Sequence, residues 1–248
     1  MLSSAMGSGT PLSRFLVKRC NAGVFAKIPN ISLMGSRWNL WDGTKWFAAM
    51  RLMQRPDTLD PVEQAKASRR LNVGCGQFPL LYWQNLDADP RAIADVYQAV
   101  PPLPFDDDSL DDIYAGHFLE HLTREDGREF LAECFRCLTP GGRLGIVVPD
   151  TREVMTRWLA GALDCVEYPV NTYHAIADLD DVCALFLYHT ADPSDESPHL
   201  WAFDLGTLGR AMEAAGFVVT GEIDRYRDPR IPVGAFYQCG LDARKPEV

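Results

Sequence analysis

The chain has 248 residues, 47% hydrophobic and 23% charged, which is enough to bury one substantial core in a globular protein. Its formal charge of −10 excludes a surface that attracts nucleic-acid phosphates as a whole and favours a small-molecule partner. No apolar run reaches the ~20 residues of a membrane-spanning helix, and seven scattered cysteines, an odd number, point to a reducing, cytoplasmic setting rather than a disulfide framework.

Residues 1–68 form a basic, aromatic arm. No acidic residue precedes Asp42, and Arg14, Lys18, Arg19, Lys27 and Arg37 give it +5, leaving −15 for the rest. Trp38, Trp41 and Trp46 surround Gly43, and Pro56 and Pro61 mark a linker-like passage. The composition fits a docking or lid segment; an organelle-targeting segment is the minority alternative.

From residue 69 the pattern is that of an α/β domain. Leu71 to Gly74, Trp83 to Asp87, Ala94 to Gln98 and Leu110 to Gly116 read as strands. Thr123 with Asp126 forms a capping-box-like start, and Phe130, Leu131, Cys134, Phe135 and Leu138 keep one helical face apolar up to the stop at Thr139-Pro140-Gly141-Gly142. Arg143 to Val148 is apolar enough for a central strand. An insertion at about 151–204 follows, with helix-like stretches at Arg152 to Leu163 and Asp178 to Tyr188 and a polar loop from Asp192 to Pro198. Leu205 to Ala215 is an amphipathic helix, and Phe217 to Ile223 and Val233 to Asp242 are strands too closely joined for a crossover, which predicts antiparallel pairing.

A glycine turn after the first strand and an acid ending the second are how such sheets hold an adenosine ribose. The runs Leu-Asn-Val-Gly-Cys-Gly (71–76), Asn-Leu-Asp (85–87), Leu-Pro-Phe-Asp-Asp-Asp-Ser-Leu-Asp-Asp-Ile-Tyr (103–114), His-Phe-Leu-Glu-His-Leu (117–122) and Cys-Leu-Thr-Pro-Gly-Gly-Arg-Leu (137–144) come in one order. Together they resemble the class I S-adenosylmethionine-dependent methyltransferases over about Arg70 to Ala243. The resemblance implies a Rossmann-like, doubly wound seven-stranded sheet, mostly parallel with an antiparallel last strand and helices on both faces. It implies S-adenosyl-L-methionine as cofactor and methyl transfer to an oxygen or nitrogen on a small molecule or a glycan or lipid intermediate.

By position in that family, Gly74, Cys75 and Gly76 would approach the methionine part of the cofactor, and Asp87 would take both ribose hydroxyls. Ala88 would lie beside the adenine, Leu103 and Pro104 would border it, and Gly116 with His117 would sit near the sulfonium. His117 is the candidate base, with His199 or His121 in reserve. Two departures stand out. Only Gln77 to Tyr82 separate the glycine turn from the second strand, too few for a crossover helix, so a cation such as Lys45 or Arg51 would have to meet the cofactor carboxylate. Where relatives place an acid for the adenine amino group, this chain has Gln98.

Rival readings attach to the same letters. His117-Phe-Leu-Glu120-His121 spells the H-x-x-E-H of inverted zinc proteases, but it directly follows a strand, and no metal is expected there. Cys134-x-x-Cys137 reads as core packing on a helix face, and Asp106 to Asp112 as a solvated turn lacking the glycine of a calcium loop. A nicotinamide dehydrogenase would need glycine at Pro79. A non-catalytic methyltransferase-like subunit that docks through its arm is the main alternative. In the insertion, His199 beside Trp201 suggests a polar group against an aromatic wall for the acceptor, with His174 nearby.

Overall fold

The computed structural model describes residues 68–168, 171–187, 198–223, 231 and 235–247. The expectations for the arm, including Lys45, Arg51 and its tryptophans, fall outside the described residues, as does most of the polar loop after Asp192.

Strands β1 (Arg70–Val73), β2 (Gln84–Asp87), β3 (Val96–Tyr97), β4 (Leu110–Gly116), β5 (Leu138–Pro149) and, after the insertion, the last two strands form one sheet. The segment expected to be an insertion carries a hairpin of β6 (Cys165–Glu167) and β7 (Tyr173–Ala175), so the last two are β8 (Val218–Glu222) and β9 (Gln238–Arg244). The order is β3-β2-β1-β4-β5-β9-β8. Strands β1 to β5 pair in parallel, whereas β9 runs antiparallel to both β5 and β8. The expected antiparallel pairing of the last two strands is present, although residues 223–237 make the connection longer than the sequence suggested.

Helix α1 (Arg124–Cys137) starts where Thr123 accepts the Asp126 backbone N–H at 3.1 Å, while the Thr123 hydroxyl donates to the Asp126 carboxylate at 2.7 Å. Its fully buried Phe130, Leu131, Cys134 and Cys137 join Ile113, Leu144 and Ile146 of the sheet, which confirms the cysteine pair as core. Helix α4 (Leu205–Ala214) adds Leu208 and Met212 to the same cluster. Alternate residues of the central strands, Tyr114 and Val147, gather instead with Trp83 in a second, smaller cluster.

The β1–β2 connection carries no helix, as its length requires. Buried Asn85 takes its place: its side chain donates to the Leu80 and Trp83 carbonyls at 3.1 and 3.0 Å, and accepts from the Leu80 N–H and Asn72. One amide side chain thus satisfies the backbone that helix hydrogen bonds would otherwise have satisfied.

Several boundaries differ from the sequence expectations. Helix α2 (Thr151–Leu159) stops short of Leu163, closed by hydrogen bonds from Gly161 N to Trp158 O and Ala162 N to Arg157 O, both 2.9 Å. The β6–β7 hairpin has three-residue strands, too short for alternation to register. The expected helix at Asp178 is a four-residue α3 (Leu179–Val182) that widens into a π-helical turn over Cys183–Leu187. The last strand begins at Gln238 rather than Val233, and β3 is two residues long.

The acidic turn is more than solvated. Asp107 pairs with Arg136 at 2.7 Å, Asp108 with Lys245 at 2.6 Å, Asp111 with Arg69 at 3.0 Å and Asp112 with Arg143 at 3.0 Å. Arg136 also donates to the Leu103 and Phe105 carbonyls, fixing the turn before β4 to α1.

Candidate active site

The carboxyl ends of β1, β2 and β4 open into a cavity of about 500 Å³, within the ~300–1,000 Å³ typical of small-molecule sites. Gly74, Gly76, Asp87 and Ala88 line it, and so do His117 and His199. Residues expected to serve a cofactor and residues expected to serve an acceptor thus share one space.

The glycine turn is tied to the acid that follows it. The Gly76 N–H donates to Asp87 Oδ2 at 2.8 Å, Asp89 N–H donates to Oδ1 at 2.8 Å, and Gly74 N–H reaches the Leu86 carbonyl at 2.9 Å. Gly74 and Gly76 both have positive φ, +66° and +48°. A side chain at Gly74 would strike the Phe118 ring at 2.5 Å, whereas one at Gly76 would meet nothing within 4 Å. The first glycine makes room for the protein, the second leaves the cradle open.

Cys75 points away from this cradle. It is 4% exposed, and burial, followed by the charges of Asp87 and Asp95, pushes its thiol up to about 12. Leu103, Pro104 and Gly116 are likewise not among the lining residues. Leu103 is buried with its N–H held by Glu133 at 2.9 Å, Pro104 is exposed, and Tyr114 closes over Gly116. Gln98, Ala99 and Val100 line the cavity from that direction. Gln98 donates its side-chain amide to the Pro102 carbonyl at 3.1 Å. No lysine or arginine is among the described residues of the lining.

His117 follows β4 with φ +51°, a conformation that costs a non-glycine residue about 1–3 kcal/mol and that concentrates at functional sites. The turn aims its ring between two polar partners: Nε2 lies 3.1 Å from Gln238 Oε1, and Nδ1 lies 3.3 Å from Glu120 Oε1. Glu120 is 1% exposed. Its burial opposes ionisation, yet the contact with His117 and the nearby His121 and His199 hold its pKa below the ordinary carboxylate value.

His199 also belongs to the cavity, but its aromatic neighbour does not. Trp201 is buried against Phe203, 4.6 Å between ring centroids, and against Gly127 of α1. The aromatic lining comes instead from Tyr168, Phe186 and Tyr237. These residues sit in an apolar cluster that joins Val154, Val166 and Val182 to Ile231 and Tyr237 from beyond residue 204. His174 bonds the Tyr168 carbonyl at 2.6 Å and does not line the cavity. Gln238, Tyr168, Phe186 and Tyr237 were not singled out in the sequence, and no motif marks them.

Residues 71–146 match the family model described as a methyltransferase domain. Among curated proteins no match is found. Similar solved structures include an S-adenosylmethionine-dependent methyltransferase from Mesorhizobium loti, 16% identical over 81% of this chain and 97% of that one, with a TM-score of 0.45. A second, from Methanosarcina mazei, is 18% identical over 71% and 92%, TM-score 0.46. A third, from Aquifex aeolicus, is 14% identical over 82% and 98%, TM-score 0.43.

Proposed function

From the class I S-adenosylmethionine-dependent methyltransferase domain that residues 71–146 resemble, we propose that this protein moves a methyl group to an oxygen or nitrogen acceptor. The acceptor is a small molecule or a glycan or lipid intermediate. The observation that carries the reading is the single cavity that joins the Gly76–Asp87 cradle to His117.

The cradle suits the cofactor. Asp87 keeps acceptor capacity for ribose hydroxyls after binding two backbone N–H groups, since each carboxylate oxygen accepts two hydrogen bonds. Gly74, Gly76, Asp87 and Ala88 would hold the cofactor, which supplies an electrophilic methyl on a sulfonium. The chain's own work is to place the acceptor in line, exclude water and take a proton. His117 is the nearest group for the last task, with Glu120 orienting the ring through Nδ1. Tyr168, Phe186 and Tyr237 would cover the flat or apolar part of the acceptor.

Parallel calorimetric titrations with S-adenosylmethionine, S-adenosylhomocysteine and NAD test the reading. Both sulfur ligands should bind and NAD should not. Asp87→Asn should weaken S-adenosylmethionine roughly 10–100-fold, as expected for a charge-assisted hydrogen bond of about 1.5–3 kcal/mol. Loss of the assignment would follow from undetectable S-adenosylmethionine binding, or from an Asp87→Asn variant that binds as well as the parent. A 14 Da mass gain on candidate acceptors then identifies the substrate.

A further inference from the structure

We infer that Glu120, His121 and His199 form a binding site for one divalent transition-metal ion, of which zinc is the reference. One ligand atom from each of the three lies within 4.8 Å of the others. Three donors bound at ~2.1 Å to a tetrahedral ion stand roughly 3.4 Å apart, so side-chain rotations of about an ångström would close the set. Two imidazoles and a carboxylate, with positions left open toward a cavity, are a donor set suited to zinc and its neighbours.

Three observations support a site rather than a chance meeting of polar groups. Apart from the His117 Nδ1 contact at 3.3 Å, the buried Glu120 carboxylate has no hydrogen-bond partner among the described residues, and a buried carboxylate so sparsely bonded is costly. A cation would satisfy it. Second, each histidine has a backbone carbonyl facing Nδ1: Phe186 O lies 3.0 Å from His199 Nδ1, and Pro198 O lies 3.3 Å from that of His121. With the Nδ1 proton given to a carbonyl, Nε2 becomes the donor atom, which is how metal-bound histidines are usually oriented. Third, the backbone holds the partners together. The Glu120 carbonyl accepts from Leu200 N–H at 2.7 Å and Trp201 N–H at 3.1 Å, which brings His199 to 4.9 Å from His121, ring to ring, across 78 positions of sequence.

This set differs from the one that the H-x-x-E-H spelling suggests. That motif would use His117 and His121 as ligands with Glu120 as base. Here Glu120 is a ligand, and His117 touches its carboxylate while its Nε2 faces Gln238. All three ligands line the same cavity as Asp87, so an acceptor oxygen would complete the ion's coordination. That last role rests on the proposed methyl transfer; the site itself does not.

The test uses the full chain without an affinity tag, stripped by chelator and dialysed, then titrated with zinc and, separately, with cobalt(II). One equivalent of zinc should bind, and cobalt(II) should give visible absorption of a low-coordinate site. Glu120→Gln and His199→Ala should each weaken zinc roughly 100-fold or more and abolish the cobalt spectrum, whereas His174→Ala should bind like the parent. Circular dichroism confirms that each variant is folded; if Glu120→Gln unfolds, His199→Ala and His121→Ala decide. Substoichiometric zinc in the parent, or full affinity in folded His199→Ala, would overturn the site. S-adenosylmethionine titrated on the same samples keeps the two proposals apart, because either ligand can bind while the other fails.

Discussion

At the scale of single residues, Gly74 and Gly76 look alike in the sequence and differ in the fold. Gly74→Ala must accommodate both φ +66° and a Cβ 2.5 Å from Phe118, so thermal unfolding should show a loss of roughly 2–4 kcal/mol. Gly76→Ala bears only the backbone penalty of about 1 kcal/mol, but its methyl would stand in the cradle's open space. Its S-adenosylmethionine affinity should fall about tenfold or more with the fold intact, as binding and melting curves on the same sample would reveal. His117 needs a subtler variant than alanine, because its left-handed backbone and its ring are separate contributions. Asparagine tolerates that conformation. His117→Asn should therefore retain stability and cofactor binding while turnover drops roughly 10²–10⁴-fold. Unchanged turnover in a folded His117→Asn would reduce the histidine to packing.

At the scale of elements, helix starts are set by side chains readable in the sequence. Asp204 caps α4 by accepting the Thr207 N–H at 2.7 Å, and Arg152 reaches the same carboxylate. The Thr207 hydrogen bonds, with Arg152 helping, lower its pKa from the ordinary 3.8 to about 2. A depressed carboxyl stabilises the fold fully above its unfolded value and loses that contribution as pH falls from about 4 toward about 2. Asp204→Ala should cost about 1 kcal/mol at pH 5, a few degrees in Tm, and the gap to wild type should narrow at pH 2.5. An equal gap at both pH values would remove the charge from the account. Where elements rested on tertiary support, the sequence misled: the π turn at Cys183–Leu187 and the β6–β7 hairpin have too few residues for periodicity to show. Asn85 illustrates the converse, since one buried amide holds a connection for which no helix has room.

At the scale of the molecule, two of the three apolar clusters divide the labour at the cavity. The main one, built from the sheet with α1 and α4, backs the cradle; the other, which joins residues between Val154 and Phe186 to Ile231 and Tyr237, backs the aromatic lining. Val154 is 1% exposed in the second cluster. Val154→Ala should lose about 2 kcal/mol and speed hydrogen exchange over residues 163–187, while exchange in β1, β4 and β5 and S-adenosylmethionine affinity stay near the parent's. Uniform loosening of the sheet would mean that the two clusters fold as one cooperative unit.

The sequence by itself determined the succession of strands, the glycine turn and the acid after it, because each depends on neighbours within a few positions, an apolar run or a turn residue; the parallel pairing followed from the family those motifs resemble, and the antiparallel end from that family and from a connection read as short. Gly74, Gly76, Asp87, Ala88 and His117 were named by their positions in the motifs of the resembled family, and all line the cavity. Tertiary structure alone decided that Trp201 is core rather than wall, that Gln238 meets His117 across 121 positions, and that His199 arrives beside Glu120 and His121. Gln238 reaches His117 because β9 pairs with β5 beside β4, and His199 reaches Glu120 through the backbone bonds at Leu200 and Trp201; chain-distant contacts of that kind leave no period or spacing along the sequence.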